Sequence, residues 1–80
     1  MRKFNGKSNI TGKLIEENLS KQHMTKEGLC TKLQLVGINI DRVHLYRVIK
    51  GEVILKDFEL IAICKILNVS YESLLNLIDI

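Results

Sequence analysis

Residues 41–51, DRVHLYRVIKG, decide the fold, because they describe a short helix with both ends marked and two chemically distinct faces. Asp41 is an N-cap, since its carboxylate accepts from an amide of the first turn, and Gly51 is a stop, since it takes left-handed geometry without a steric penalty. At about 100° per residue, Leu45, Val48 and Ile49 gather on one side of Arg42–Lys50. The other side carries Val43, Tyr46, Arg47 and Lys50, with Arg42 and His44 on its flanks. Three of those six side chains are permanently cationic and none is acidic. One face belongs to a core, the other to water or to an anionic neighbour.

Working upstream, Thr25 caps a second helix whose buried stripe is Leu29, Cys30, Leu33 and Val36, with Gly37 as its stop. Gly28 inside it costs about 1 kcal/mol relative to alanine, so either a neighbouring helix approaches closely there or the helix is weak. Gln34–Asn39 either lengthens this helix by one turn before Gly37 or forms a longer loop. Helix 1 runs from Asn9 or Thr11 to about Gln22, with Ile10, Leu14, Ile15 and Leu19 at helical spacing and Lys13, Glu16, Glu17 and Lys21 opposite. Residues 1–9 hold Arg2, Lys3 and Lys7 among Asn, Gly and Ser, and read as a flexible basic arm ahead of one domain over 10–80.

Downstream, Glu52–Lys56 reads as an extended connection and Asp57 as the cap of a fourth helix to about Leu67. Leu60, Ile61, Ile63, Cys64 and Leu67 make that helix apolar nearly all round, so it is expected at the centre. Asn68 ends it in a left-handed position, and Ser70 caps a fifth helix from Tyr71 to about Ile78.

Composition agrees with this reading. Eighty residues, 46% of them hydrophobic, with no proline and 5 glycines, suit a single core of helices on short connections. The net charge of +3 is unevenly placed: residues 1–50 carry ten basic and four acidic groups, residues 51–80 two and five. An anionic partner would be drawn to the first part only. Cys30 and Cys64 sit in apolar runs without metal-ligand spacing, so they read as reduced core thiols of a cytoplasmic protein. The opening MRKFNGKSN leads into no apolar segment, no run is long enough to span a membrane, and neither a signal peptide nor a membrane partner is expected.

Three stretches together, MTKEGLCTKL (24–33), INIDRVHLYRVIKG (38–51) and DFELIAICKILNVSYESLL (57–75), resemble the helix-turn-helix domain of the lambda repressor and Cro type, the xenobiotic-response-element family of bacterial and phage regulators. The resemblance implies an all-α, compact five-helix fold with the helix-turn-helix at helices 2 and 3, the third helix entering the major groove of double-stranded DNA. Carried over by position, its base-reading slots fall on Arg42, Val43 and Arg47, and its phosphate-binding slots on Thr25, Lys26 and Lys50. The residue chemistry suits those roles, because Arg grips guanine O6 and N7, Val meets a thymine methyl and Lys neutralises phosphate. Tyr46 and His44 are placed to reach the backbone, and the free amides at the start of helix 2 suit a phosphate.

Two departures from the family pattern stand out. The segment 34–39 adds about five residues between the paired helices. A basic residue in helix 1 that pairs with a Glu near the end of helix 3 is replaced by Leu19 and Ile49, a swap that keeps the packing if the two side chains touch. The apolar tail of Leu74, Leu75, Leu77, Ile78 and Ile80 either folds back on the domain or forms a homodimer interface, and the amount of exposed Leu and Ile favours the dimer.

The expected function is therefore a sequence-specific DNA-binding transcriptional regulator, a repressor acting by operator occupancy. The competing expectation is an adaptor or antitoxin-like antagonist that keeps the fold and binds protein. No paired carboxylates, Ser/His/Asp or Cys/His set, or phosphate-cradling glycine loop is present, so no enzyme, small-molecule substrate, metal or cofactor is expected. His23 and His44 lack partners at ligand spacing and read as surface or helix-end residues.

Overall fold

The computed structural model describes residues 6–78, and within them the chain forms five helices and no strand. They are α1 (Gly12–Lys21), α2 (Lys26–Leu35), α3 (Arg42–Ile49), α4 (Asp57–Leu67) and α5 (Tyr71–Leu75). The α1 and α2 helices each pack against both α3 and α4. Ile15, Leu19, Leu29, Cys30, Leu33, Ile40, Leu45, Val48, Ile63 and Leu67 meet in the core, and Ile49 packs against it. Leu19 is buried and Ile49 half-buried, so neither member of the apolar pair points into solvent. No helix among the described residues is long and apolar enough to cross a membrane.

Side-chain caps start three helices as the sequence suggests. Thr25 Oγ1 accepts from the Gly28 amide at 2.9 Å, Asp41 Oδ1 from the His44 amide at 2.7 Å, and Ser70 Oγ from the Ser73 amide at 3.2 Å. The α4 start differs. Asp57 is its first helical residue, Lys56 occupies the cap position, and the Lys56 amide donates to Glu59 Oε1 at 2.9 Å. That bond explains why Glu59, a charged residue, is buried.

The segment between α2 and α3 combines a helix end with a short extended run. The α2 helix continues to Leu35, and Gly37, at φ +86°, reverses the chain. The Gly37 amide donates to Gln34 O at 3.0 Å and the Ile38 amide to Leu33 O at 2.9 Å, which satisfies the last carbonyls of the helix. Ile40 then plugs fully into the core immediately before the Asp41 cap. Val36, expected in the buried stripe, is 62% exposed because it lies beyond the last helical residue.

Two further expectations are corrected. The α4 helix is not buried all round: Ile63 and Leu67 are inside, whereas Ile61 is exposed, because the other helices cover only one side of it. The α5 helix ends at Leu75, short of Ile78, with Asn76 as its C-cap.

Candidate functional site

The surface formed by the start of α2 and the outward side of α3 gathers most of the residues singled out in the sequence. Leu45 and Val48 lock α3 onto the core, which turns Val43, Tyr46, Arg47 and Lys50 outward. Lys26, Glu27, Arg42, Val43 and Tyr46 line one open groove of about 460 Å³.

The Tyr46 ring organises the lysines. Lys50 Nζ stands 4.7 Å and Lys26 Nζ 5.7 Å from its centroid, within the range where the ring's quadrupole attracts a cation. One aromatic side chain thus ties the end of α3 to the start of α2. Interaction with Tyr46, reinforced by Glu52, raises the Lys50 pKa above its ordinary value.

The arginines are held differently. Arg42 Nη1 pairs with Glu27 Oε1 at 3.0 Å, and Arg47 Nε lies 3.8 Å from Glu52 Oε1. Both pairs are exposed, with Arg42 and Glu27 side chains at 73% and 66%. Such pairs contribute at most ~1 kcal/mol to folding, so they set side-chain position more than stability.

Thr25 uses its oxygen for the α2 cap, which leaves its hydroxyl hydrogen free to donate outward. His44 is placed otherwise than expected: it is half-buried, and its Nε2 is shielded from solvent with no hydrogen-bond partner among the described residues. It therefore does not present that nitrogen on the cationic surface.

A contribution that sequence reasoning missed comes from the segment before α1. Residues 1–5 of the expected arm lie outside the described residues, but 6–9 are not loose. The Lys7 ammonium donates to Lys50 O at 3.0 Å and the Ser8 amide to Gly51 O at 2.8 Å. The Asn9 amide group donates to Val48 O at 3.1 Å and Val53 O at 2.7 Å. Its Oδ1 accepts from the Thr11 and Gly12 amides at 3.2 and 3.0 Å, so Asn9 also caps α1. These bonds join positions about 40 residues apart, which no local pattern announces, and they bring the Lys7 cation to the end of α3.

In the tail, Leu74 and Leu77 are half-buried while Leu75 and Ile78 are exposed. Leu77 lines a groove that it shares with Lys7, Ile49 and Lys50, so part of the tail folds back; Ile80 lies outside the described residues. Among the described residues no group of three His, Cys, Asp or Glu comes together as a metal site.

Comparison with models of known protein families, with curated proteins and with solved structures gives no match.

Proposed function

We propose that this chain is a sequence-specific double-stranded-DNA-binding regulator of the lambda repressor and Cro type, a repressor that works by occupying its operator. The observation that carries the reading is the convergence of the exposed Arg42, Arg47 and Lys50 with the half-buried Lys26 on one surface spanning the start of α2 and the outward side of α3. An α-helix fits the major groove, where Arg42 and Arg47 can each take guanine O6 and N7 and Val43 a thymine methyl. Lys26, Lys50, Tyr46 and Thr25 stand at the margins as phosphate partners. His44 is left out of this set because its Nε2 is shielded from solvent and without a partner among the described residues.

The exposed Leu75 and Ile78 are the proposed homodimer contact. Two copies joined there would offer two α3 helices to half-sites about one turn of DNA apart, roughly 34 Å.

The adaptor reading is supported by a separate feature, the apolar pair Leu35 and Val36 exposed at the end of α2. Salt dependence separates the two. A duplex binder releases counterions, so its affinity falls steeply as salt rises, whereas an adaptor shows no such slope. Arg47→Ala is expected to cost about 1–3 kcal/mol on a duplex selected from a random pool and to relax one base preference, while Lys26→Ala weakens all duplexes alike and reduces the salt slope by about one. Parent-like binding by both variants would overturn the assigned surface.

A further inference from the structure

The cations of this surface fall into two groups. Lys26 and Lys50 rest on the Tyr46 ring, whereas each arginine lies against a carboxylate, Arg42 closely at 3.0 Å from Glu27 and Arg47 loosely at 3.8 Å from Glu52. Glu27 is the one acidic residue among the five that line the groove between α2 and α3. A carboxylate there is a poor choice for a surface meant only to attract phosphate, because it removes net positive charge where the duplex would approach. Glu27 suits the first turn of α2 as a carboxylate near a helix N-terminus, but its pairing with Arg42 adds little to the fold.

We infer that Glu27 is a specificity-determining residue that acts through Arg42, an inference that rests on the DNA-binding reading above. While the pair is closed, the guanidinium charge is partly offset and its Nη1 is engaged by the carboxylate, so encounters with arbitrary sequence fall chiefly to the lysines. Opening it exposes the fork to the major groove, where among the base edges only a guanine returns two aligned acceptors in place of the carboxylate oxygen. Glu27 thus withholds Arg42 from indiscriminate phosphate contact. The looser Glu52–Arg47 pair imposes the same restraint more weakly.

The test uses the full chain, a duplex recovered by selection from a random pool, and a mixed-sequence duplex of equal length. Glu27 and Arg42 are exposed, so Glu27→Gln and Arg42→Ala should melt like the parent, which circular dichroism checks. With one more cation free for phosphate, Glu27→Gln should bind the mixed duplex roughly 5–10-fold more tightly near 0.1 M salt and steepen its salt slope by about one. Its preference for the selected duplex should fall by a similar factor. In the Arg42→Ala background the same substitution should strengthen binding of both duplexes alike, by removing a carboxylate from the approach surface, and leave the preference between them unchanged.

An unchanged preference in Glu27→Gln, or an equal loss of preference with Arg42 absent, overturns the inference and leaves the DNA-binding reading intact. Salt-independent or undetectable duplex binding by the parent overturns that reading, and the inference with it.

Discussion

Gly12 shows how far a single residue's role depends on its neighbours. By helix propensity alone, alanine at this position would gain about 1 kcal/mol. A β-carbon on Gly12, however, would press into the carbonyl oxygens of Val48 and Ile49, where the start of α1 crosses the end of α3. Those oxygens belong to backbone and cannot rotate away. Gly12→Ala is therefore expected to destabilise the fold by roughly 1–3 kcal/mol, seen as a lower denaturant midpoint at unchanged slope. Gly28, the glycine that drew attention in the sequence, has only the capping Thr25 and the flexible Met24 nearby. Of the two explanations open for it, close approach of another helix is excluded. The two glycines cannot be told apart from sequence, because the partner of Gly12 lies more than thirty residues away.

At the scale of the element, four helix ends share one device. After each of α1, α2, α3 and α4 a residue with positive φ turns the chain, namely His23, Gly37, Gly51 and Asn68. The amide that follows reaches back to the helix, from Met24 to Leu19, Ile38 to Leu33, Glu52 to Arg47 and Val69 to Cys64, at 2.9–3.0 Å. Gly37, Gly51 and Asn68 could be read from the sequence, since these are the residue types that left-handed geometry favours. His23 could not, because a histidine there carries local strain that only the completed structure sustains. Replacing it should relieve that strain: His23→Gly is expected to stabilise by about 0.5–1 kcal/mol and Gly37→Ala to destabilise by about 1 kcal/mol. In a domain of this size each corresponds to a shift of several degrees in thermal midpoint, of opposite sign. The ends of α4 and α5 were less legible. Asp57 resembles a cap but yields that place to Lys56 with Glu59, and α5 loses its last turn although the apolar pattern continues.

Taken whole, the molecule keeps its thiols unpaired, Cys30 buried and Cys64 half-buried. Burial raises the pKa of Cys30, with Asp41 and Glu27 adding to the effect, and burial alone raises that of Cys64. The folded state thus holds both protons more tightly than the unfolded chain. Their contribution to stability is complete below the ordinary thiol value of 9.0 and is lost as pH climbs above it, because the unfolded thiols ionise first. The denaturant midpoint is expected to fall above about pH 9, and less steeply in Cys64→Ala. Alkylation by iodoacetamide at neutral pH should be slow until the chain is denatured. Helices 1 to 4 and most of the cationic surface were legible because both follow from local periodicity and capping. What lay beyond reach was contact between distant segments: Ile40 as a core plug, the shielding of His44 Nε2, and the bonds from Lys7, Ser8 and Asn9 to the end of α3.

Those last bonds, with Leu77 beside them, bring both ends of the described chain to one place. A dye attached at position 77 would consequently sit within sight of Lys50 and respond to whatever docks there, whereas one attached at Ile61 would watch the same event from a helix that takes no part in it.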